Sequence, residues 1–379
     1  MAYFDNAATT KIHPNVLKAY QETAIHYYGN PSSLHEEGIK AKKLLNQTKR
    51  AIAERINAKR QEIIFTASGT EANNLAIKGW YFHAPKTHFI TSNIEHHATK
   101  KTMQFLQTLG ASVSWLDVDY DGYINLTQLE KTLQLHPGAF VSLIAGNNEI
   151  GTMQPLETIG KLVKKYKGYL HLDMVQLPTS QSIDTQTLQV DMLSFSAHKF
   201  HGPRGVGFLY LKEGTGIKRL IDGGSQEFER RSGTENLAGI VAMNVAFQDA
   251  QDHSQAYIGH VQDLAEYFLN RLDEEQVHYR LNGPSLRDSN RLPGIVNLGF
   301  KNMDGGELAF ELNRHLIYVS LGSACNAESI EPSHVLQAIK TPEDYLNGSL
   351  RFSFSKDNTF EEVDQAVRAL KTILQNERE

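Results

Sequence analysis

Lys199 offers an amine that could bond to a carbonyl cofactor. It ends the run Ser196-Ala197-His198-Lys199, which follows an apolar stretch at residues 192–195 that is typical of a buried strand. Lysine is the residue type that forms a Schiff base with carbonyl compounds. Open α/β sheets bind their ligands beyond the carboxyl ends of the strands, where this lysine is predicted to lie. A solvated surface lysine is the ordinary alternative.

Asp173 and Gln176 offer partners for the ring of such a cofactor. Asp173 closes the apolar stretch at residues 169–172, and Gln176 follows it in the next turn of chain. A carboxylate in this position is often only a loop cap. Pyridoxal phosphate, however, needs a carboxylate against its ring nitrogen, which keeps the ring protonated and electron-withdrawing. Gln176 could hydrogen-bond the ring hydroxyl.

Gly69 and Thr70 offer a place for a phosphate. They follow a predicted strand at residues 62–66 and begin a predicted helix. The free N–H groups and the positive end of the helix dipole favour an anion there, and Thr70 adds a hydroxyl donor. An ordinary helix N-cap is the alternative. The sequence contains no Walker A run, no Gly-x-Gly-x-x-Gly and no His-Glu-x-x-His, so other phosphate, dinucleotide and zinc motifs are not indicated.

Three further polar positions follow or interrupt predicted strands. His96 comes after the stretch at residues 88–91, and an imidazole can stack on a flat ring and move protons near pH 7. Asn148 belongs to a polar cluster that follows the strand predicted at residues 139–145. Arg351 interrupts an alternating apolar stretch at residues 349–353. Either a substrate carboxylate or an internal salt bridge would satisfy this guanidinium.

Cys325 is the only cysteine of the chain. A free cysteine commonly packs as a small hydrophobe, but the Gly, Ser and Asn residues around it favour an exposed loop. Its reactivity would require the thiolate. A single thiol excludes an internal disulfide, and it excludes a zinc or iron–sulfur site built from several thiolates of one chain. We therefore predict no metal site.

The elements that must position these residues alternate between strand and helix from about residue 62. Strands alternating with helices predict a mainly parallel sheet that is covered on both faces. Helical periodicity dominates from residue 236 to about 272, and we place a domain boundary near residue 253. The prediction is an α/β protein with a large domain at residues 12–253. A smaller C-terminal α/β domain follows at residues 254–379 and includes the N-terminal segment 1–11.

Composition narrows the classes of partner. The chain has 379 residues, with 38 Lys and Arg against 43 Asp and Glu, for a net charge of −5. A general nucleic-acid binder usually has a basic excess. No apolar run approaches the roughly 20 residues of a membrane helix, and the first residues lack the pattern of a signal peptide. We therefore expect a cytoplasmic protein without a membrane partner or a direct nucleic-acid partner.

Taken together, these motifs resemble the cysteine desulfurases, which belong to the class V aminotransferase group with the pyridoxal-phosphate fold type I. The resemblance extends over nearly the whole chain. Its loop Gly322-Ser323-Ala324-Cys325 is similar to that of the subgroup that feeds iron–sulfur cluster assembly and tRNA thiolation, and not to the Gly-His-His-Cys loop of the second subgroup. The other matching runs are Asp5-Asn6-Ala7-Ala8-Thr9-Thr10, Gly29-Asn30-Pro31-Ser32-Ser33, Ser68-Gly69-Thr70-Glu71-Ala72-Asn73-Asn74, Glu95-His96-His97, Asn147-Asn148-Glu149-Ile150-Gly151, Ser196-Ala197-His198-Lys199, Arg231-Ser232-Gly233-Thr234-Glu235-Asn236 and Arg351-Phe352-Ser353.

The resemblance implies a role for each cofactor residue. Lys199 would form the Schiff base with pyridoxal 5′-phosphate, Asp173 would pair with its ring nitrogen and Gln176 would contact its ring hydroxyl. His96 would stack on the ring and move protons during catalysis. The phosphate would be held by Gly69, Thr70, Ser196 and His198, and by Thr234 of the neighbouring subunit.

The resemblance also implies the substrate and the partners. L-cysteine would be the substrate, with its carboxylate held by Asn148 and Arg351. Cys325 would take the sulfur as a persulfide, and L-alanine would leave. The implied partners are a second copy of the chain in a homodimer and a sulfur-acceptor protein, either an iron–sulfur scaffold or a tRNA thiolase.

The sequence departs from the family pattern in two places, and two other functions stay open. Met174 replaces the usual alanine, which predicts a changed pocket floor, and Phe228-Glu229 replaces a usual Arg-Gly, which concerns the surface or the dimer contact. An aminotransferase on the same fold would need Lys199 but not Cys325. A non-catalytic scaffold would need neither.

Overall fold

The computed structural model describes residues 1–321 and 332–376. Cys325 and the rest of its loop lie outside these ranges. The helices of the described part are α1 Pro14–His26, α2 Glu36–Arg55, α3 Gly69–His83, α4 His97–Thr108, α5 Leu126–Leu135, α6 Leu156–Lys165, α7 Leu237–Asp252, α8 Ser254–Glu274, α9 Gly305–Arg314, α10 His334–Ala338, α11 Glu343–Leu346 and α12 Phe360–Asn376. The strands are β1 Ala2–Tyr3, β2 Ile63–Thr66, β3 Phe89–Ser92, β4 Val113–Leu116, β5 Phe140–Ile144, β6 Tyr169–Asp173, β7 Met192–Ser196, β8 Gly207–Leu211, β9 Arg280–Asn282, β10 Ile295–Gly299, β11 Ile317–Tyr318 and β12 Ser349–Ser353.

The main sheet has seven strands in the order β2-β8-β7-β6-β5-β3-β4. Its neighbouring pairs are parallel, except that β8 runs antiparallel to both β2 and β7. The predicted mainly parallel sheet is therefore confirmed. The apolar run of β8 does not reveal its reversed direction, because a strand that is buried on both faces is apolar whichever way it runs.

Both faces of this sheet are covered by helices. Successive side chains of a strand point to opposite faces, and so Phe140 and Val141 of β5 belong to different hydrophobic clusters. The cluster that contains Phe140 includes residues of α3 and α4, and the one that contains Val141 includes residues of α2 and α7. This double burial explains the nearly continuous apolar runs from which the strands were predicted.

The C-terminal part of the chain has its own hydrophobic cluster. The antiparallel sheet β12-β10-β9 packs there with α8, α9 and α12. Ala2 and Phe4 belong to the same cluster, because β1 pairs with β11. Helices α7 and α8 are separated at His253. These observations fit the predicted division near residue 253, which we retain as a proposal. No helix in the described ranges combines the length and the apolar character that crossing a bilayer requires.

A buried histidine links three central strands of the main sheet. His171 of β6 bonds through Nδ1 to the Ser142 hydroxyl of β5 at 2.8 Å and through Nε2 to the Ser194 hydroxyl of β7 at 2.9 Å. Burial lowers the pKa of His171 to about 3. The ring is therefore neutral in the folded protein at ordinary pH, and it fixes the strand that ends at Asp173.

This buried imidazole should make the folded protein sensitive to acid. An unfolded histidine has a pKa of about 6.5, so the unfolded chain takes up this proton first as the pH falls. The stability present above pH ~6.5 should decline toward pH 3, by up to about 1.4 kcal/mol per pH unit for this one proton. Urea unfolding of cofactor-free protein between pH 7 and 5 measures the slope.

In the variant His171→Asn, the free energy of unfolding should fall less steeply as the pH is lowered, because about one proton fewer is taken up on unfolding. The stability of this variant at pH 7 should be lower. His278→Asn, at an exposed position, is the matched control and should behave like the unmodified protein. An unchanged slope in His171→Asn would contradict the assignment.

Candidate active site

A cavity of about 240 Å³ opens at the carboxyl edge of the main sheet. It lies beyond the ends of β2, β3, β5, β6 and β7, as expected for an open α/β sheet. Most of the predicted site residues line it together: Gly69, Thr70, His96, Asn148, Asp173, Gln176, Ser196, His198, Lys199 and Arg351. Thr234 does not line it and is exposed. Cys325 lies outside the described residues.

Asp173 is buried at the end of β6 and is held by neutral donors. Asn73 of α3 donates through Nδ2 to Asp173 Oδ2 at 2.6 Å, and the backbone N–H of Val175 donates to Asp173 Oδ1 at 3.1 Å. The carboxylate therefore has a fixed orientation, and neither donor brings a positive charge to it. This environment suits a carboxylate that must meet a cationic group of a ligand.

Lys199 ends a short 3₁₀ turn that follows β7, Ala197–Lys199. Its Nζ donates to the carbonyl oxygens of Ala7 at 2.6 Å and Ala8 at 2.8 Å. Gln176 donates to the same Ala7 carbonyl at 2.9 Å. The amine thus rests on backbone of the N-terminal segment, and Lys199 and Gln176 share one face of the cavity.

The predicted phosphate site is the start of α3. Ser68 caps this helix, since its Oγ accepts from the N–H of Glu71 at 3.1 Å. A Cβ on Gly69 would stand 2.8 Å from Val175 Cγ2 and 3.2 Å from Ser196 Cβ, so only glycine lets the helix sit this close to the strand ends. The Thr70 side chain is exposed beside it.

His198 stands at the same end as a neutral hydrogen-bonding group. Its Nδ1 lies 3.2 Å from Thr9 Oγ1. Burial, reinforced by the charges of Lys199 and Arg204, lowers the pKa of His198 to about 4. The ring is therefore neutral at ordinary pH, and it could hydrogen-bond a phosphate.

His96 has a defined tautomer. It caps α4, because its Nδ1 accepts from the backbone N–H of Ala98 at 3.1 Å. Burial lowers its pKa, with the charge of Asp173 acting in the opposite direction. A neutral ring whose Nδ1 accepts must have its proton on Nε2. His96 is therefore equipped to donate a proton from Nε2.

Arg351 is buried and already has partners. Its Nη2 lies 2.8 Å from Asp5 Oδ1, and its Nη1 donates to the carbonyl oxygen of Asn148 at 2.9 Å. The internal salt bridge that the sequence left as the alternative is thus present. The contact with Asn148 also places this arginine beside the other predicted substrate residue.

Asn73 and Glu95 had no predicted role. Asn73 lines the cavity and donates to Asp173 as described, whereas Glu95 precedes His96 in the chain without lining the cavity and is a buried carboxyl that accepts from the Ser92 hydroxyl at 2.5 Å. Burial raises the pKa of Glu95 to about 8, so it is largely protonated at neutral pH. Both residues belong to motifs that the sequence analysis named. Their residue types alone do not predict which side chains they contact.

Neither departure from the family pattern lines the cavity. Met174 is fully buried in the hydrophobic core between the lining residues Asp173 and Val175, and the predicted change of the pocket floor stays a prediction. Phe228 is exposed and its ring lies 4.7 Å from Lys49 Nζ. Glu229 adopts a φ of 61°, a left-handed conformation for which glycine is the usual residue.

The residues of this cavity fit pyridoxal phosphate. An amine, a buried carboxylate and the N-terminus of a helix all border one space, and Gly69 is compact enough to let the helix approach. The amine could bond to an aldehyde, the carboxylate could pair with a cationic ring nitrogen and the helix start could bind the phosphate.

A family model supplies the deciding comparison. The model described as "Aminotransferase class-V" matches residues 2–366. The chain belongs to the class-V aminotransferase family. Its members that are cysteine desulfurases use pyridoxal phosphate, so the predicted family, fold class and cofactor are confirmed.

Relatives and solved structures within the family are similar over nearly their full length. "Cysteine desulfurase IscS" of Dictyoglomus turgidum is 40% identical over 378 residues, covering 99% of this chain and 95% of the relative. A protein of the same name from Methanosarcina thermophila is 38% identical, covering 99% and 92%. A solved "NifS-like protein" has a TM-score of 0.91 at 35% identity, covering 99% of both chains. The structure titled "SspA in complex with cysteine" has a TM-score of 0.79 at 32% identity, covering 95% of this chain and 100% of the other.

The phosphate end can be tested without turnover. Thr70→Val should weaken binding of pyridoxal phosphate to the cofactor-free protein by about tenfold, because a hydrogen bond to a charged group is worth roughly 1.5–3 kcal/mol and less at an exposed position. Binding of pyridoxal, which lacks the phosphate, should not change. Fluorescence titration measures both affinities.

Thr127→Val is the matched control, since Thr127 is also an exposed residue in the first turn of a helix, α5, but lies outside the cavity. Equal losses for pyridoxal and its phosphate in Thr70→Val would show that Thr70 does not contact the phosphate.

Proposed function

We propose that the chain is a pyridoxal-phosphate-dependent cysteine desulfurase, which converts L-cysteine to L-alanine and passes the sulfur to Cys325. The observation that carries the proposal is the convergence of Lys199, Asp173, His96 and Arg351 on one cavity. The full-length similarity to proteins named cysteine desulfurase supports it. The similarity to a protein solved with bound cysteine supports cysteine as the substrate.

Each cofactor residue has a place in this proposal. Pyridoxal phosphate, when bound, supplies an aldehyde that bonds to amines and a protonated ring that withdraws electrons. Lys199 would be the amine that bonds to it, Asp173 would pair with its ring nitrogen and Gln176 would meet its ring hydroxyl. The start of α3, with Gly69, Thr70, Ser196 and His198, would hold its phosphate.

Arg351 and Asn148 orient the substrate. The Arg351 guanidinium is 1% exposed, and it stands at the cavity wall between Asp5 and Asn148. A substrate carboxylate would share this guanidinium with Asp5. Because burial strengthens electrostatic attraction, Arg351 would hold the carboxylate beside Asn148 and so direct the substrate's side chain.

Lys199 and His96 handle the protons. Lys199 stands at the cavity wall, where its amine could act as the base that takes the proton from the substrate's α-carbon. His96 donates from Nε2, the nitrogen that holds its proton in the neutral ring. A donor within reach of the leaving group serves general acid catalysis.

Cys325 accepts the sulfur in the final step. Its thiolate attacks the substrate sulfur, a sulfur–sulfur bond forms and the carbon–sulfur bond breaks. The electron pair of the broken bond is protonated at carbon, which gives alanine. A thiolate suits this attack because it is far more nucleophilic toward sulfur than a hydroxyl is. An aminotransferase would need no such thiol, and a scaffold would need no such cavity.

The sulfur should leave through a partner protein. The loop Gly322-Ser323-Ala324-Cys325 implies an acceptor of iron–sulfur cluster assembly or of tRNA thiolation. We propose that this acceptor takes the sulfur directly from Cys325, in the cytoplasm.

We also propose that the working form is a homodimer. Several large apolar side chains between residues 17 and 39 are exposed in the single chain: Leu17, Ile25, Tyr28, Leu34 and Ile39. Large exposed apolar surface is typical of protein–protein contacts. In the dimer, Thr234 of each subunit would reach the phosphate of the other, which accounts for its exposed position outside its own cavity.

The sulfur-transfer proposal predicts the products of one reaction. Cofactor-loaded protein incubated with cysteine should release alanine and gain one sulfur on Cys325, seen by mass spectrometry. Cys325→Ser should bind cofactor and cysteine normally but release alanine at least about 100-fold more slowly, because the hydroxyl is a poor sulfur acceptor. Alanine release at the normal rate by Cys325→Ser would refute the role of Cys325. Alanine formed only when a keto acid is added would favour an aminotransferase.

The dimer proposal predicts a change in mass. Leu34 is 93% exposed in the single chain, so Leu34→Asp should leave the fold intact. It should convert the dimer to a monomer in sedimentation experiments, because burying a charge in an apolar contact is costly. Leu135→Asp, at a position that is 77% exposed on the remote helix α5, should remain dimeric. A dimeric Leu34→Asp would move the interface elsewhere.

A further inference from the structure

Asn73 is a buried amide with one clear contact. Its side chain lies in α3, it is 1% exposed, and its Nδ2 donates to Asp173 Oδ2 at 2.6 Å. Asn73 lines the same cavity as Asp173 and Lys199.

The orientation of this amide follows from its partner. An ionised carboxylate can only accept hydrogen bonds, so Asn73 must turn its NH₂ group toward Asp173. Its Oδ1 then points away, and this oxygen is buried without a hydrogen-bond partner among the described residues. A buried oxygen without a partner lowers stability. The amide is therefore better explained by what it does for Asp173 than by what it adds to the fold.

The place of Asn73 on its helix is equally specific. Gly69 and Asn73 are one helical turn apart, so they share a face of α3. Gly69 lets the helix pack closely against Val175 and Ser196. This packing brings Asn73 within hydrogen-bonding distance of Asp173. Helix α3 thus provides the N-terminus proposed to bind the phosphate. It also orients the Asp173 carboxylate, which would lie at the opposite end of the cofactor.

We infer that Asn73 is a positioning residue, which holds the Asp173 carboxylate in the orientation that meets the ring nitrogen of pyridoxal phosphate. The inference rests on the proposed role of Asp173 but not on sulfur transfer. Without the Asn73 donor, Asp173 Oδ2 would lose its side-chain partner, and the carboxylate could rotate about its last bond.

The experiment compares two cofactors rather than two activities. One is pyridoxal phosphate, and the other is its analogue in which C–H replaces the ring nitrogen. Both have the same aldehyde and phosphate, but only the first can pair with Asp173. Fluorescence titration of cofactor-free protein gives both dissociation constants.

Asn73→Leu should weaken binding of pyridoxal phosphate by about tenfold, since a hydrogen bond to a charged group contributes at least that factor. Binding of the carbon analogue should change by no more than about twofold, because its ring has no nitrogen to meet. Asn73→Ala provides the same comparison if the leucine variant does not fold. Asn244→Leu is the matched control, since Asn244 of α7 also has a buried Oδ1 without a partner among the described residues and lies outside the cavity.

The outcomes separate the inference from the proposals beneath it. Equal losses for both cofactors in Asn73→Leu would show a structural role and overturn the inference, as would no loss for either. If the unmodified protein binds the carbon analogue as tightly as pyridoxal phosphate, the proposed role of Asp173 fails and the inference fails with it. A failure of sulfur transfer would leave both titrations, and this inference, unaffected.

Discussion

Hydrogen bonding between parallel strands is the constraint on which the site depends. Strands β3, β5, β6 and β7 run in one direction, so their carboxyl ends reach the same edge of the sheet. Residues that are far apart in sequence, such as His96, Asp173 and Lys199, therefore border one cavity. The Ser142–His171–Ser194 contacts reinforce this alignment from within the sheet. Every function proposed for the chain uses side chains that this alignment brings together.

A second constraint acts through the N-terminal segment. Its backbone receives Lys199 and Gln176, while Asp5 pairs with Arg351 of β12. The Ser353 hydroxyl accepts the N–H of Ala7 at 2.9 Å. Residues 5–8 therefore join the proposed cofactor side of the cavity to the proposed substrate side. Neither the main sheet nor the smaller antiparallel sheet contains the complete site.

The sequence predicted the main sheet well for a physical reason. Strands buried on both faces must be apolar throughout, so β2, β3, β5, β6 and β7 were each predicted to within about two residues. Helices α1, α2, α5, α6, α9, α10 and α11 were not predicted. The helical region predicted from residue 236 to about 272 is two helices, α7 and α8, which meet at the boundary predicted near residue 253. The direction of β8 depends on tertiary pairing, which no local pattern encodes.

The same limit applies to the site. Lys199, Asp173 and Gly69 could be found because each follows or precedes a recognisable strand. For Arg351 the sequence left two alternatives, a substrate carboxylate and an internal salt bridge, because the residue type alone does not identify its partner. The salt bridge with Asp5 is seen only in the structure. The contact of Asn73 with Asp173 could not be predicted at all, because it depends on how closely Gly69 lets α3 approach the sheet.

The contact between Asp5 and Arg351 has a consequence for how the protein folds during translation. During translation, Asp5 leaves the ribosome long before Arg351 does, and chains grow at roughly 5–20 residues per second. The main sheet can form while the C-terminal part is still being made. The N-terminal segment can then contact Lys199, but it cannot contact Arg351 until β12 has been made. A nascent chain can therefore have a folded main sheet and still lack Arg351, the residue proposed to hold the substrate carboxylate.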